Sequence, residues 1–271
     1  MSDFQEYLRA KRAIDGRALN RRVLRELREE IPDGSLDVVE VGAGVGTGIV
    51  RLLEWEVLPE TVEYTAIDER PENVAAARET LHEAGFAERD GRLQRGPTAV
   101  SLVAGDAFET LGEDEYDLLV AQAFLDLVGL DEALPTLFDA LVPGGLAYFP
   151  ITFDGGTFFE PSHPLDDRVV DAYHRDMDRE GSHRTGRRLL SAVPETGGTV
   201  LAAGSSDWVV YPPYDRDERV LLAHILGTIE GALAGEVPDD ELDEWLTARR
   251  RQLREGELIY IAHQLDVLAR A

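Results

Sequence analysis

Short apolar runs recur through the first 153 residues: LDVVEV (36–41), VEYTAID (62–68), AVSLVAGD (99–106), YDLLVAQ (116–122) and GLAYFPITF (145–153). Stretches with apolar residues three and four apart, at 46–57, 71–85 and 131–141, separate most of them. This alternation predicts parallel strands with crossover helices, because parallel neighbours need a long return path. Residues 3–30 carry Phe4, Tyr7, Leu8, Leu19, Val23, Leu24 and Leu27 at mixed three and four spacing and read as one helix stopped by IPDG. The segment AERDGRLQRGP before the third strand shows little pattern.

After residue 153 the rhythm changes. DGGTFFEPSHP reads as turns, 165–180 and 185–195 as helices, and TVLAAGSSDWVVYPP as two strands around Gly204, Ser205 and Ser206, a hairpin. Residues 216–235 and 239–270 read as amphipathic helices, the second with Gly256 as a kink. The predicted organisation is an N-terminal helix (1–35), an α/β core (36–153), a helical insertion or cap (154–198), a closing β-hairpin (199–214) and a C-terminal helical extension (215–271). No repeat or low-complexity tract is visible.

Composition narrows the classes. The chain has 271 residues, 44% of them hydrophobic, enough for a full core. It contains no run of eighteen apolar residues, and its start, MSDFQEYLRAKR, has no apolar signal region, so a cytoplasmic protein without a membrane partner is expected. Cysteine is absent, which removes disulfides, thiolate metal sites and Cys nucleophiles. The formal charge is -26, from 53 acids against 27 bases, and Lys11 is the only lysine. Such a surface repels phosphate backbones, so nucleic acid is not an expected partner. An acid-rich, lysine-poor surface also fits a halophilic, salt-adapted protein, in which counterions screen the repulsion.

The candidate chemistry centres on VVEVGAGVGTG (38–48), where four glycines fall in seven positions directly behind a strand. In open α/β sheets ligands lie beyond the C-terminal strand ends, and glycine lets a ligand approach the main chain without meeting a Cβ. The dinucleotide pattern G-x-G-x-x-G/A, started at Gly42, fails at Thr47. The sequence Glu40-Val-Gly42-Ala43-Gly44-Val-Gly46 instead resembles motif I of the class I S-adenosylmethionine-dependent methyltransferases. Further segments match that family in order: Asp68 closing strand 2, Gly105-Asp106-Ala107 closing strand 3, Tyr116–Leu119 with Ala121–Phe124 at strand 4, and Leu141-Val142-Pro143-Gly144-Gly145 leading into strand 5. The expected fold is therefore a seven-stranded, mostly parallel Rossmann-like methyltransferase sheet with an antiparallel last strand, plus a helical insertion and C-terminal helices. TVLAAG and DWVVY fit the reversed last strand of that sheet.

The resemblance implies S-adenosyl-L-methionine as cofactor, with no metal. Glu40 would position the methionine amino group, and the backbone of Gly42, Ala43, Gly44 and Gly46 would pass beneath the methionyl and ribose portion. Asp68, with Glu69 beside it, would hold the ribose, Asp106 and Ala107 the adenine, and Gln122 and Ala123 would flank the amino group and sulfonium. Arg12 or Arg17 on the N-terminal helix would pair with the methionine carboxylate or form a solvated face.

The acceptor is expected to be a small molecule. Ala121-Gln122-Ala123-Phe124 stands where amide and base methyltransferases carry N/D-P-P-Y/F, and Pro212-Pro213-Tyr214 lies too late in the chain to replace it. Phe153, Phe158, Phe159, Tyr173 and Trp208 are candidates for an acceptor pocket, with His163, His174 and His183 as proton acceptors and His174 the choice of general base. The three histidines lack metal-site spacing. In the tail, Glu257, Tyr260, His263, Gln264 and Asp266 read as a solvated face or a lid. A homodimer is left open, and the competing readings are a nicotinamide-dependent oxidoreductase, an aminopropyl transferase on the same fold and a non-catalytic cofactor-binding subunit.

Overall fold

A computed structural model describes residues 3–111 and 115–271. Helices α1 (Asp3–Ala18) and α2 (Arg21–Glu30) lead into β1 (Ser35–Val41), α3 (Thr47–Glu54), β2 (Thr61–Asp68) and α4 (Pro71–Glu83). A short antiparallel pair, β3 (Ala87–Arg89) and β4 (Arg92–Arg95), precedes β5 (Thr98–Ala104), α5 (Ala107–Thr110), β6 (Tyr116–Val120), α6 (Leu130–Asp139) and the long β7 (Leu141–Glu160). Then follow α7 (Asp166–Met177), α8 (Thr185–Glu195), β8 (Thr199–Ser205), β9 (Trp208–Val210), α9 (Arg216–Leu233), α10 (Asp239–Glu255) and β10 (Ile259–Arg270).

All strands join one mixed sheet in the order β3-β4-β5-β2-β1-β6-β7-β10-β8, with β9 also paired to β10. Strands β5, β2, β1, β6 and β7 run parallel, as the alternation of apolar runs and helices predicts. Alternate residues of β1 feed two buried clusters: Leu36 and Val38 pack on one face with Leu118 and Tyr148, Val39 and Val41 on the other with Leu119 and Ala147. Both faces are covered, which is why the strand reads as an almost continuous apolar run. The strand order reverses between β1 and β6, and at such a switch point a crevice opens beyond the C-terminal strand ends. No helix among the described residues is long and apolar enough to cross a membrane.

Four local expectations are corrected. Residues 259–270 form a strand rather than the end of a helix: Gly256, with φ at 71°, caps α10, and the chain then runs as β10 antiparallel to β7 and β8. The reversed strand of the sheet is thus β10, and β8 and β9 both pair with it instead of forming a hairpin with each other. The segment DGGTFFE continues β7 rather than turning. A Cβ on Gly156 would lie 2.6 Å from the His263 Cβ, so this glycine serves close strand approach. Finally, the N-terminal helix breaks at Asn20, whose Oδ1 accepts from the N–H groups of Arg22 and Val23 and caps α2.

That break is fixed from β10. Asp266, 0% exposed, accepts hydrogen bonds from the N–H of Asn20 at 2.7 Å, the N–H of Ile151 at 2.8 Å and the Tyr148 hydroxyl at 3.4 Å. Burial raises its pKa against the pull of these donors. An Asp266→Ala variant would leave two backbone N–H groups short of their acceptor. It should lose about 2–4 kcal/mol in urea unfolding, and Asp266→Asn, which keeps one acceptor, should lose less.

Candidate functional site

The glycine loop after β1 is held by hydrogen bonds from outside itself. The Ala43 N–H donates to the Ile67 carbonyl at 3.0 Å, and the Gly44 N–H to Asp68 Oδ2 at 2.8 Å. Asp68 Oδ1 accepts from the Arg70 N–H and from Asn73 Nδ2, and its carbonyl accepts from the Gly105 N–H at 3.0 Å. The loops leaving β1, β2 and β5 thus converge on one aspartate. Gly42, Gly44 and Gly46 all have positive φ, from 55° to 76°. A Cβ on Gly42 would lie 2.6 Å from the Phe124 ring, so the loop requires a glycine there.

Beyond these strand ends lies a cavity of about 920 Å³. Glu40, Gly42, Ala43, Gly44, Asp68, Glu69, Asp106, Ala107, Gln122 and Ala123 all line it, so residues scattered over more than eighty positions share one wall. Asp106 also caps α5, its Oδ1 accepting from the N–H groups of Phe108 and Glu109. Gln122 is oriented from both ends: its Nε2 donates to Asp15 Oδ2 at 2.8 Å and its Oε1 accepts from Arg51 Nη1 at 3.2 Å.

Glu40 is 2% exposed and accepts from the Tyr64 hydroxyl at 2.9 Å. Burial pushes its pKa up to about 7, the Asp68 charge adds to the rise, and Tyr64 and Arg51 oppose it. Gly48 lets this carboxylate approach α3, since a Cβ there would lie 2.7 Å from Glu40 Oε1.

Three expected residues fall elsewhere. Gly46 is not on the cavity wall: it caps α3, and a Cβ there would lie 3.2 Å from that of Ala77, so it serves the approach of α4. Arg17 pairs with Glu218 at 2.5 Å and Arg12 with Glu54 at 2.9 Å, both outside the lining. The cation that α1 does turn inward is Lys11. It is 9% exposed, and its Nζ sits 5.1 Å from the Trp208 ring centre and 5.7 Å from that of Tyr7.

His174 stands one layer back. Its Nε2 is 3.0 Å from the hydroxyl of Thr157, which lines the cavity, and its ring lies edge-on to Phe153 and stacks on His183. Burial, with the neighbouring His183, lowers its pKa to about 4, so it is neutral at pH 7. Among the other aromatic candidates Phe153, Tyr173 and Trp208 line the cavity, Phe158 is exposed, and Phe159 packs against Trp245 and Tyr260. His163 bonds to the Leu165 N–H, His183 to Asp178, and Pro212-Pro213-Tyr214 lies outside the lining. Among the described residues no group of three or more His, Asp or Glu is placed to hold a metal ion.

Several wall residues had no signal in the motif pattern. Tyr7, Lys11 and Asp15 come from α1, Asp126 from the turn after β6, and Tyr260 and Gln264 from β10. Asp15 is 1% exposed and accepts from Trp208 Nε1 at 3.0 Å as well as from Gln122, which ties α1 to β9 and to the loop after β6. A single acid inside an apolar stretch, as in AID15G or FLD126L, is the trace such residues leave in sequence.

No family model and no curated protein matches the chain. Among solved structures, a candidate methyltransferase from Bacillus halodurans aligns with a TM-score of 0.57 at 12% identity, covering 91% of this chain and 97% of its own. S-adenosylmethionine-dependent methyltransferases from Thiobacillus denitrificans and Geobacter sulfurreducens, both in complex with S-adenosylhomocysteine, align at 0.51 with 17% and 19% identity. Each covers 93% of this chain and, respectively, 92% and 91% of its own. The likeness extends over nearly the whole chain and shows the class I methyltransferase fold.

The buried Glu40 gives a pH-dependent prediction. Its carboxyl binds protons more tightly in the folded state than in the unfolded chain, so its contribution to stability is present below about pH 4.5 and is lost as pH rises through about 7. Glu40→Gln keeps an acceptor for Tyr64 and removes the buried charge. Urea unfolding should show it more stable than the parent by about 3 kcal/mol near pH 8 and nearly equal to it near pH 4.

Proposed function

We propose that this class I methyltransferase fold carries out S-adenosylmethionine-dependent methyl transfer to a small molecule. The observation that supports it is the shared wall: Glu40, Gly42–Gly44, Asp68, Asp106–Ala107 and Gln122–Ala123 leave four different strand ends and face one cavity. The donor set suits the cofactor. Asp68 offers carboxylate oxygens where two ribose hydroxyls need acceptors, and Asp106 with the Ala107 N–H offers the acceptor and donor that an adenine edge requires. The glycine backbone leaves room for the methionyl chain. Lys11, a buried ammonium on the wall, takes the part of carboxylate anchor expected of Arg12 or Arg17, whose charges are already paired with Glu54 and Glu218. Glu69, also on the wall, lies beside the ribose position.

When bound, the sulfonium supplies an activated methyl group whose leaving group is a neutral thioether. The chain's task is to align an acceptor with that methyl group and keep water away. Helix α1 does the second, closed over the cavity by the Asp15–Trp208 and Asp15–Gln122 hydrogen bonds. His174, neutral and hydrogen-bonded to Thr157, acts on this reading through Thr157, by orienting its hydroxyl toward the cavity. At about 920 Å³ the cavity lies at the upper end of the range of about 300–1,000 Å³ for single-ligand sites, which favours room for an acceptor beside the cofactor. A dinucleotide reading is less well supported: Thr47 stands where its pattern needs Gly or Ala, and β10 runs against β7.

Calorimetry in molar salt should detect binding of S-adenosylmethionine and S-adenosylhomocysteine and none of NAD; binding of NAD alone would overturn the assignment. Asp106→Ala should weaken S-adenosylhomocysteine by about 1–3 kcal/mol, the cost of unpaired adenine donors. Lys11→Met should weaken it by about tenfold or more, as loss of a charge-assisted bond does, while Arg17→Met leaves it unchanged. The reverse order would move the carboxylate anchor to Arg17.

A further inference from the structure

Resting on the assignment of the cavity to a sulfonium methyl donor, we propose that the acceptor is a small amine, held by Asp126 and the surrounding aromatic rings and methylated on nitrogen. The argument starts from unpaired atoms. Asp126 Oδ1 and Gln264 Oε1 are both buried without a hydrogen-bond partner, and both residues line the cavity. Gln264 sits opposite Phe153 in the β7–β10 register, and the Phe153 N–H is one of the groups acting on the Asp126 carboxylate. Both side chains therefore belong to residues that adjoin position 153. Both unpaired atoms are acceptors, and a buried acceptor left unpaired is costly, so the occupant of this side brings hydrogen-bond donors.

Charge and shape select further. Of the cations on this wall, Arg179 is paired with Asp176 and Glu236, Arg70 lies against Glu69 and the Phe4 ring, and Lys11 is taken by the cofactor carboxylate on the reading above. An anionic acceptor would meet Asp126 and Asp15 with these cations already engaged. Tyr7 and Tyr173, which feel the Asp126 charge, and Phe153, whose N–H acts on it, stand near Asp126, and Trp208 lines the same cavity; the faces of these rings attract an ammonium and cannot bond an anion. Burial and the charge of Asp126 both raise the phenol pKa values of Tyr7 and Tyr173, so these hydroxyls stay protonated and do not serve as bases.

Asp126, at the centre of this side, takes the proton. Burial pushes the Asp126 carboxyl up to about 6, against the pull of its own N–H, Lys11 and the Phe153 N–H. The same burial, and a neighbouring sulfonium, lower the pKa of a bound amine, so the gap between donor and acceptor narrows. The bound ammonium gives a proton to Asp126, and the freed lone pair forms the new N–C bond. The C–S bond breaks with its electron pair left on sulfur. The product leaves as an N-methylammonium, and Asp126 returns its proton to solvent.

The test is binding of three probes of one shape, benzylammonium, benzyl alcohol and benzoate, to protein saturated with S-adenosylhomocysteine. Calorimetry should show benzylammonium about tenfold or more tighter than either other probe. Asp126→Asn should abolish that preference while S-adenosylhomocysteine affinity stays as in the parent. Tyr173→Leu, which leaves the charge in place, should weaken the ammonium several-fold and keep the order of the probes. Equal binding, a preference for benzoate or benzyl alcohol, no binding of benzylammonium at millimolar concentration, or a preference that survives Asp126→Asn would overturn the amine. Failure of S-adenosylhomocysteine to bind the parent would overturn the donor assignment and the amine with it, whereas its binding without an ammonium preference overturns the amine alone.

Discussion

The molecule turns on the hydrogen bonds of Asp68. Its side chain accepts from Gly44 N–H, Arg70 N–H and Asn73 Nδ2, and its carbonyl from Gly105 N–H. One residue thereby fixes the glycine loop, the start of α4 and the end of β5. Parallel strands end with backbone groups that no neighbour satisfies, and a buried edge of that kind must find partners. Here the partner is an acid that also faces a cavity. The groups that hold the loops and the groups that would hold a ligand are the same, so loop geometry and ligand geometry cannot vary independently.

Helix α1 is the second element of this arrangement. It carries Tyr7, Lys11 and Asp15 onto the wall, and its hold on the sheet runs through Asp15 to Gln122 after β6 and to Trp208 on β9. Arg51, buried beneath, donates to Gln122 and to the Arg12 carbonyl, so the same network reaches the last turn of α3. Helix α1, the loop after β6 and β9 are thus joined by polar contacts as well as by apolar packing.

The parallel half of the sheet was legible because its strands carry near-continuous apolar runs, buried on both faces along β1, β6 and β7, and because most crossover helices have their own apolar period. The acids at the strand ends were legible because they follow directly on those runs. The antiparallel half was not, and the residues say why. In β10 the inward positions Tyr260, Ala262, Gln264 and Asp266 alternate with period two, but two of the four are polar, which hides the period and lets α10 seem to continue. Gly155 and Gly156 suggested a turn where they in fact admit His183 ahead of α8 and His263 on β10, and the exposed β3–β4 pair has only Leu93 buried. Arg17 and Lys11 lie on one helix with the same charge, and only the packed structure shows which of them turns inward. Asp126 and Asp15, isolated among apolar neighbours, belong to no motif at all.

The insertion of β10 between β7 and β8 has a consequence for biosynthesis. Strand β7 pairs with β6 on one side, and its other side waits for residues 259–270. At ribosomal speeds of about 5–20 residues per second, the intervening stretch 161–258 takes roughly 5 to 20 s to emerge, during which the β7 edge over residues 146–160 stays open to other chains. The nascent polypeptide is most exposed to misassembly in that interval.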